Sequence, residues 1–113
     1  MRHVALLLLA GLALGGCSIR RDRFTETRAL IANQCGSCHV VPGVTGANGN
    51  VGPSLEGIGT RQVIAGYFPN TRANLVRWVA HPQAMLPNNA MPETHLTPEQ
   101  ANQVADYLYT LDR

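Results

Sequence analysis

The five residues Cys35-Gly36-Ser37-Cys38-His39 constrain this chain more than any other stretch. They put two thiols three positions apart, with an imidazole directly behind the second. On a helical turn that spacing brings both sulfurs to one side. The chain has three cysteines, an odd number that asks for separate explanations of the pair and of Cys17. Structural zinc needs four protein ligands, usually completed by a second Cys or His pair, and His81 and His95 are far apart and unpaired. A redox pair of the thioredoxin kind sits in a βαβ unit, and no strand pattern is evident here. A disulfide between Cys35 and Cys38 would be strained and would leave His39 without a role.

The C-x-x-C-H string is instead the attachment pattern of c-type haem. Two thiols on one side of a turn can add to the two vinyl groups along one porphyrin edge. The next residue then falls beneath the ring, where its imidazole can reach the iron. The macrocycle brings its own equatorial nitrogens, so the protein supplies only axial ligands. Cys35 and Cys38 are thus assigned covalent attachment of one haem c, and His39 the first axial position on its iron. Two Phe, three Tyr and one Trp in 113 residues leave little aromatic core. A cofactor in the middle would supply what so small a chain lacks.

The first residues read as an address. Arg2 and His3 form a short positive region, and Val4–Ala13 an apolar one. Residues 1–16 are expected to be an export signal, outside the fold. Leu14-Gly15-Gly16-Cys17 resembles the lipobox of bacterial lipoproteins. That resemblance implies cleavage before Cys17, a lipid on its sulfur and an acylated N-terminus, and several acyl chains anchor stably where one does not. Residues 17–24 then read as a lipid-anchored tether, with Arg20, Arg21 and Arg23 beside the anchor, where anionic headgroups attract cations. The expected location is the periplasmic side of a bacterial membrane, inner or outer.

Length and charge exclude other classes. The chain is 45% hydrophobic and 14% charged, which points to one folded domain, residues 25–113. The longest apolar run, Val4–Gly16, has 13 residues, short of the roughly 20 that span a bilayer as a helix. The basic residues are all arginine and the net charge is only +2, so nothing resembles a nucleic-acid footprint.

Local patterns outline the elements. Thr25–Gln34 reads as a helix entering the haem motif, with Thr25 as its cap and Glu26 suiting the positive end. Val44–Gly52, with its Asn48-Gly49 turn signal, reads as a loop. It is not a phosphate cradle, since no strand precedes it and no Lys follows. Thr71–His81 reads as a helix stopped by Pro82. Pro87–Leu96 is too broken by proline for a helix. Thr97, Pro98 and Gln100 form a capping box with Pro at the first helical position. Ala101, Val104, Ala105, Leu108 and Leu111 follow at helical spacing.

From about Thr25 to Leu111 the chain resembles small monohaem class I c-type cytochromes. Beyond the haem motif, the likeness is carried by Gly52-Pro53-Ser54-Leu55-Glu56-Gly57-Ile58-Gly59-Thr60-Arg61, by Asn74-Leu75-Val76-Arg77-Trp78-Val79, and by Pro82-Gln83-Ala84-Met85-Leu86-Pro87-Asn88-Asn89-Ala90-Met91-Pro92. Family members usually carry Gly where Asn88 sits, and Asn tolerates left-handed backbone better than most residues. The resemblance implies an all-α fold of three to five short helices around a covalently attached haem, with long loops. It also implies that the last helix crosses the first near Tyr107 or Leu108.

The second axial ligand has four side-chain candidates: Met85, Met91, His81 and His95. The resemblance implies Met91, and an irregular, proline-bounded segment suits a thioether pushed toward iron. His39/Met91 ligation raises the reduction potential relative to two histidines. The resemblance further implies that the Pro53 carbonyl accepts the other ring N–H of His39, and that Arg61, Trp78 and, less strongly, Tyr67 lie near the haem propionates. The function implied is one-electron transfer with no catalytic residue, by a lipid-anchored carrier or a cytochrome subunit. The implied partners are a respiratory dehydrogenase, a bc1-type complex or a terminal oxidase. The alternative is a peroxidase-like or ligand-binding haem with a labile sixth position. Shuttling cytochromes often steer with lysines; this chain has none, which favours an apolar docking patch or a permanent neighbour.

Overall fold

The computed structural model describes residues 22–112. The expected export signal, Cys17 and the greater part of the expected tether lie outside the described residues. Four α-helices occur among the described residues: α1 (Thr25–Gln34), α2 (Arg72–Ala80), α3 (Pro82–Met85) and α4 (Pro98–Leu108). A single 3-10 turn, Ile58–Thr60, and a two-stranded antiparallel hairpin, β1 (Val63–Ile64) with β2 (Phe68–Pro69), lie between α1 and α2. The hairpin pairs Val63 with Pro69 and Ile64 with Phe68. The expected all-α class, with few short helices and long loops, is what the chain adopts.

Helix α1 starts and ends where its residues predict, but not with the expected cap. Phe24 holds the cap position and offers no side-chain acceptor. The chain turns in through Asp22 instead: its carboxylate accepts from the Phe24 N–H at 3.2 Å, and its carbonyl accepts from the Thr25 hydroxyl at 3.0 Å. Phe24, placed in the tether by sequence, packs edge-on against Tyr107 with ring centroids 5.3 Å apart. The folded unit therefore takes in the end of that segment.

Thr71 caps α2 by accepting from the Asn74 N–H. Pro82 does not simply stop that helix. It opens α3, because proline has no N–H to lose at a first helical position and its φ is already helical. Helix α4 carries both halves of its capping box: the Thr97 hydroxyl accepts from the Gln100 N–H at 3.1 Å, and Gln100 Oε1 accepts from the Thr97 N–H at 2.9 Å. Its buried stripe of Ala101, Val104, Ala105 and Leu108 packs mainly on α2, and α1 crosses it near Tyr107. The Tyr107 hydroxyl donates to the Pro42 carbonyl at 2.7 Å, tying this crossing to the loop behind the C-x-x-C-H turn.

Candidate haem site

A cavity of about 470 Å³ opens between the helices, within the range of ordinary cofactor pockets. Cys35, Cys38 and His39 line one wall, Leu75, Trp78 and Val79 of α2 another, Val104 and Leu108 of α4 the floor, and Met91 the wall formed by the loop after α3.

The first wall is made by backbone. Helix α1 ends at Cys35, whose N–H donates to the Ile31 carbonyl at 2.8 Å. The Cys35 carbonyl then accepts from both Cys38 N–H (3.1 Å) and His39 N–H (2.9 Å), so the motif winds one further turn. Both sulfurs are free of any disulfide. Burial, with the neighbouring Cys38 adding to it, pushes the Cys35 thiol up to about 11, so it is protonated at neutral pH. His39 Nδ1 donates to the Pro53 carbonyl at 2.6 Å, which leaves Nε2 as the free ring nitrogen.

Two glycines let the next loop close on this turn. A Cβ on Gly49 would stand 2.3 Å from the Ser37 carbonyl, and one on Gly52 would stand 2.4 Å from His39 Cε1. No side chain fits at either place. The Gly52 N–H donates to the Cys38 carbonyl at 2.7 Å, which holds the imidazole against bare backbone. Sequence alone presents these glycines as turn residues; only packing reveals the contact with His39.

Another wall is a loop. From Leu86 to Leu96 the chain has no helix or ladder to satisfy its polar groups. Asn88 takes up left-handed backbone at φ +64, the conformation for which asparagine is suited. Asn89 Oδ1 accepts from the Met91 N–H at 2.7 Å, while its amide donates to the Pro82 and Leu86 carbonyls. Gln83, Asn89 and Glu93, which brace this loop, carry no motif in the sequence. The one signal was proline followed by Gln83 at the start of a helical turn.

Of the four side chains offered as second ligand, Met91 lines the cavity, whereas Met85, His81 and His95 do not. His81 faces solvent with its Nδ1 3.1 Å from Glu93, and His95 is exposed. Arg61 and Trp78 line the cavity; Arg61 donates to the Ser54 and Glu56 carbonyls, each at 2.8 Å, which pins its charge at the edge. Tyr67 is not brought to the site. It sits in the turn of the hairpin, 72% exposed, with its ring tilted toward Phe68.

The residues fit a covalently held porphyrin. The lining is predominantly apolar, two free thiols share one wall with an imidazole whose second nitrogen is already engaged, and a soft sulfur lines another wall. No cluster of three or more His, Cys, Asp or Glu that would hold a bare metal ion exists among the described residues.

Comparison with known proteins gives this fit a lineage. The chain is similar to cytochrome c oxidase subunit 2 of Alkalihalophilus pseudofirmus, 37% identical over 83 residues, covering 68% of this chain and 23% of that protein. It is also similar to cytochrome c oxidase subunit 2 of Bacillus sp. (strain PS3), 33% identical over 90 residues, covering 76% of this chain and 25% of that protein. The chain thus spans about a quarter of the length of these relatives. The family profile for cytochrome c matches residues 24–112. A match through all but the first two described residues makes this chain a member of the cytochrome c family.

Proposed function

We propose that this protein is a one-electron carrier built on a single covalently attached haem c with His39 and Met91 as axial ligands. The observation that carries the reading is the cavity itself: Cys35, Cys38 and His39 line one wall and, of the four candidates, Met91 alone lines any. The haem c that the family implies would supply the iron whose two oxidation states hold and release the electron.

The chain's own residues do the rest. Cys35 and Cys38 hold the group through thioethers, so it is not lost between turnovers. The hydrogen bond from His39 Nδ1 to Pro53 fixes the tautomer and aims Nε2. The Met91 thioether, which lines the cavity, would hold the iron's remaining position against small ligands. Apolar side chains such as Leu75, Val79 and Val104 exclude water and so disfavour the more highly charged oxidised state. Arg61, held at the rim by two carbonyls, offsets anionic groups at that edge.

The relatives' name favours service within, or beside, a terminal oxidase, with a dehydrogenase or a bc1-type complex as electron source. Lipid attachment at Cys17, with residues 17–24 as a tether, would hold the domain on the periplasmic face of the membrane. The scarcity of cations in the described rim and the exposed apolar side chains of Val51 (77%) and Val63 (48%) there favour apolar docking over long-range steering.

Met91→Ala tests the ligand assignment. The expected variant keeps its covalent haem, loses the near-infrared sulfur-to-iron absorption band, falls in reduction potential and binds carbon monoxide quickly. An unchanged band would assign the position to another residue. Fast carbon monoxide binding by the unmodified protein would favour the peroxidase-like alternative instead.

A further inference from the structure

We propose that Gln83 is a positioning residue for the second axial ligand: its carboxamide clamps the Met91 loop and keeps the thioether facing the cavity. This rests on Met91 being that ligand. The Gln83 Nε2 donates to the Asn89 carbonyl and to the Met91 carbonyl, each at 2.8 Å. Its Oε1 accepts from the Asn88 N–H at 3.1 Å. Both donors and the acceptor are therefore spent on three residues of one loop.

The network admits only one orientation of that amide. Reversed, its oxygen would face two carbonyls and its NH₂ would face an N–H. The clamp is itself anchored. The Gln83 backbone N–H donates to Glu93 Oε1 at 3.1 Å, and Glu93 Oε2 lies 3.1 Å from His81 Nδ1. Helix α3 exists as one turn, closed by the Leu86 N–H on the Pro82 carbonyl at 2.9 Å, and that turn presents Gln83 to the loop. Backbone from Asn88 to Met91 is thus held, together with the Asn89 amide, by one side chain five to eight residues earlier. Thioether is a weak ligand, so small displacements of this backbone change how long the sulfur stays on iron.

The test uses the haem-loaded protein and three variants: Gln83→Leu, Gln83→Glu and, as a control for general loosening, Arg72→Ala. Arg72 joins α2 to α4 through Asp106 and Asn102, away from the cavity. In both Gln83 variants the near-infrared band weakens, and carbon monoxide association with the reduced protein accelerates about tenfold, as loss of several hydrogen bonds implies. In Gln83→Leu, which loses the acceptor as well as the donors, the Asn88 amide exchanges its hydrogen about tenfold faster. Arg72→Ala leaves band and association rate unchanged. Unchanged band and rate in the Gln83 variants, or equal changes in Arg72→Ala, overturn the proposal. If Gln83→Leu yields no haem-loaded protein, Gln83→Glu and hydrogen exchange of the unmodified protein decide: an Asn88 amide as fast as exposed loop amides overturns it. The ligand reading fails separately, on a band that survives Met91→Ala. A band lost in Met91→Ala yet intact in the Gln83 variants overturns the clamp alone.

Discussion

The cavity walls that carry His39 and Met91 are held by different means. On the His39 side, the end of α1, the turn of the C-x-x-C-H motif and the loop through Gly49 and Gly52 lock together by backbone hydrogen bonds and by the absence of side chains. On the Met91 side, an irregular loop relies on the amides of Gln83 and Asn89 and on the buried hydroxyl of Thr94. The first wall has little freedom to be wrong, since its contacts are local and sterically tight. The second depends on a few individually modest bonds, each worth about 1 kcal/mol. Under the proposed ligation, a strong ligand beside two thioethers on a stiff wall and a weak ligand on a braced loop would divide the work: permanent attachment on one side, adjustable ligation on the other.

The contrast breaks most severely at Gly52. Gly52→Ala puts a methyl 2.4 Å from His39 Cε1, on backbone whose own N–H is held by the Cys38 carbonyl. The expected cost is about 1–3 kcal/mol by denaturant titration, with a sharply reduced yield of haem-loaded protein, because the ring is displaced from its aimed position. Normal loading with an unchanged histidine signal would mean that the wall is softer than its packing indicates. A smaller effect is expected at the other wall. Thr94→Val removes the 2.6 Å bond to the Val79 carbonyl, which ties the exit of the Met91 loop to α2. It should cost about 1–2 kcal/mol, leave loading intact and weaken the sulfur-to-iron band only in part. Equal losses of loading in the two variants would erase the distinction.

Legibility in the sequence follows the same division. The C-x-x-C-H motif, the span of α1 and the capping box of α4 are readable because their signals lie within a few residues of one another. The Met91 bracing is not, because Gln83 reaches Met91 from eight residues away through a turn of helix that opens on a proline. Proline ends a helix and also begins one, and the sequence pattern alone does not say that it does both here. The β1–β2 hairpin escapes notice because two-residue strands show no alternation, and Pro69 in β2 argues against a strand except at an edge. Tyr67 was assigned to the pocket by resemblance, and the hairpin turn carries it outward instead. Thr25 is not the cap for a simpler reason: the helix begins at Thr25 itself, whose N–H and hydroxyl both donate to the Asp22 carbonyl.

The central claim is the covalent adduct at Cys35 and Cys38, and intact-mass measurement tests it most directly. The protein, purified from a host able to attach haem to polypeptide, is expected to weigh more than its polypeptide by one haem and to show a c-type absorption spectrum. A colourless protein with the mass of the polypeptide alone, from a host that loads other c-type cytochromes under the same conditions, would contradict it.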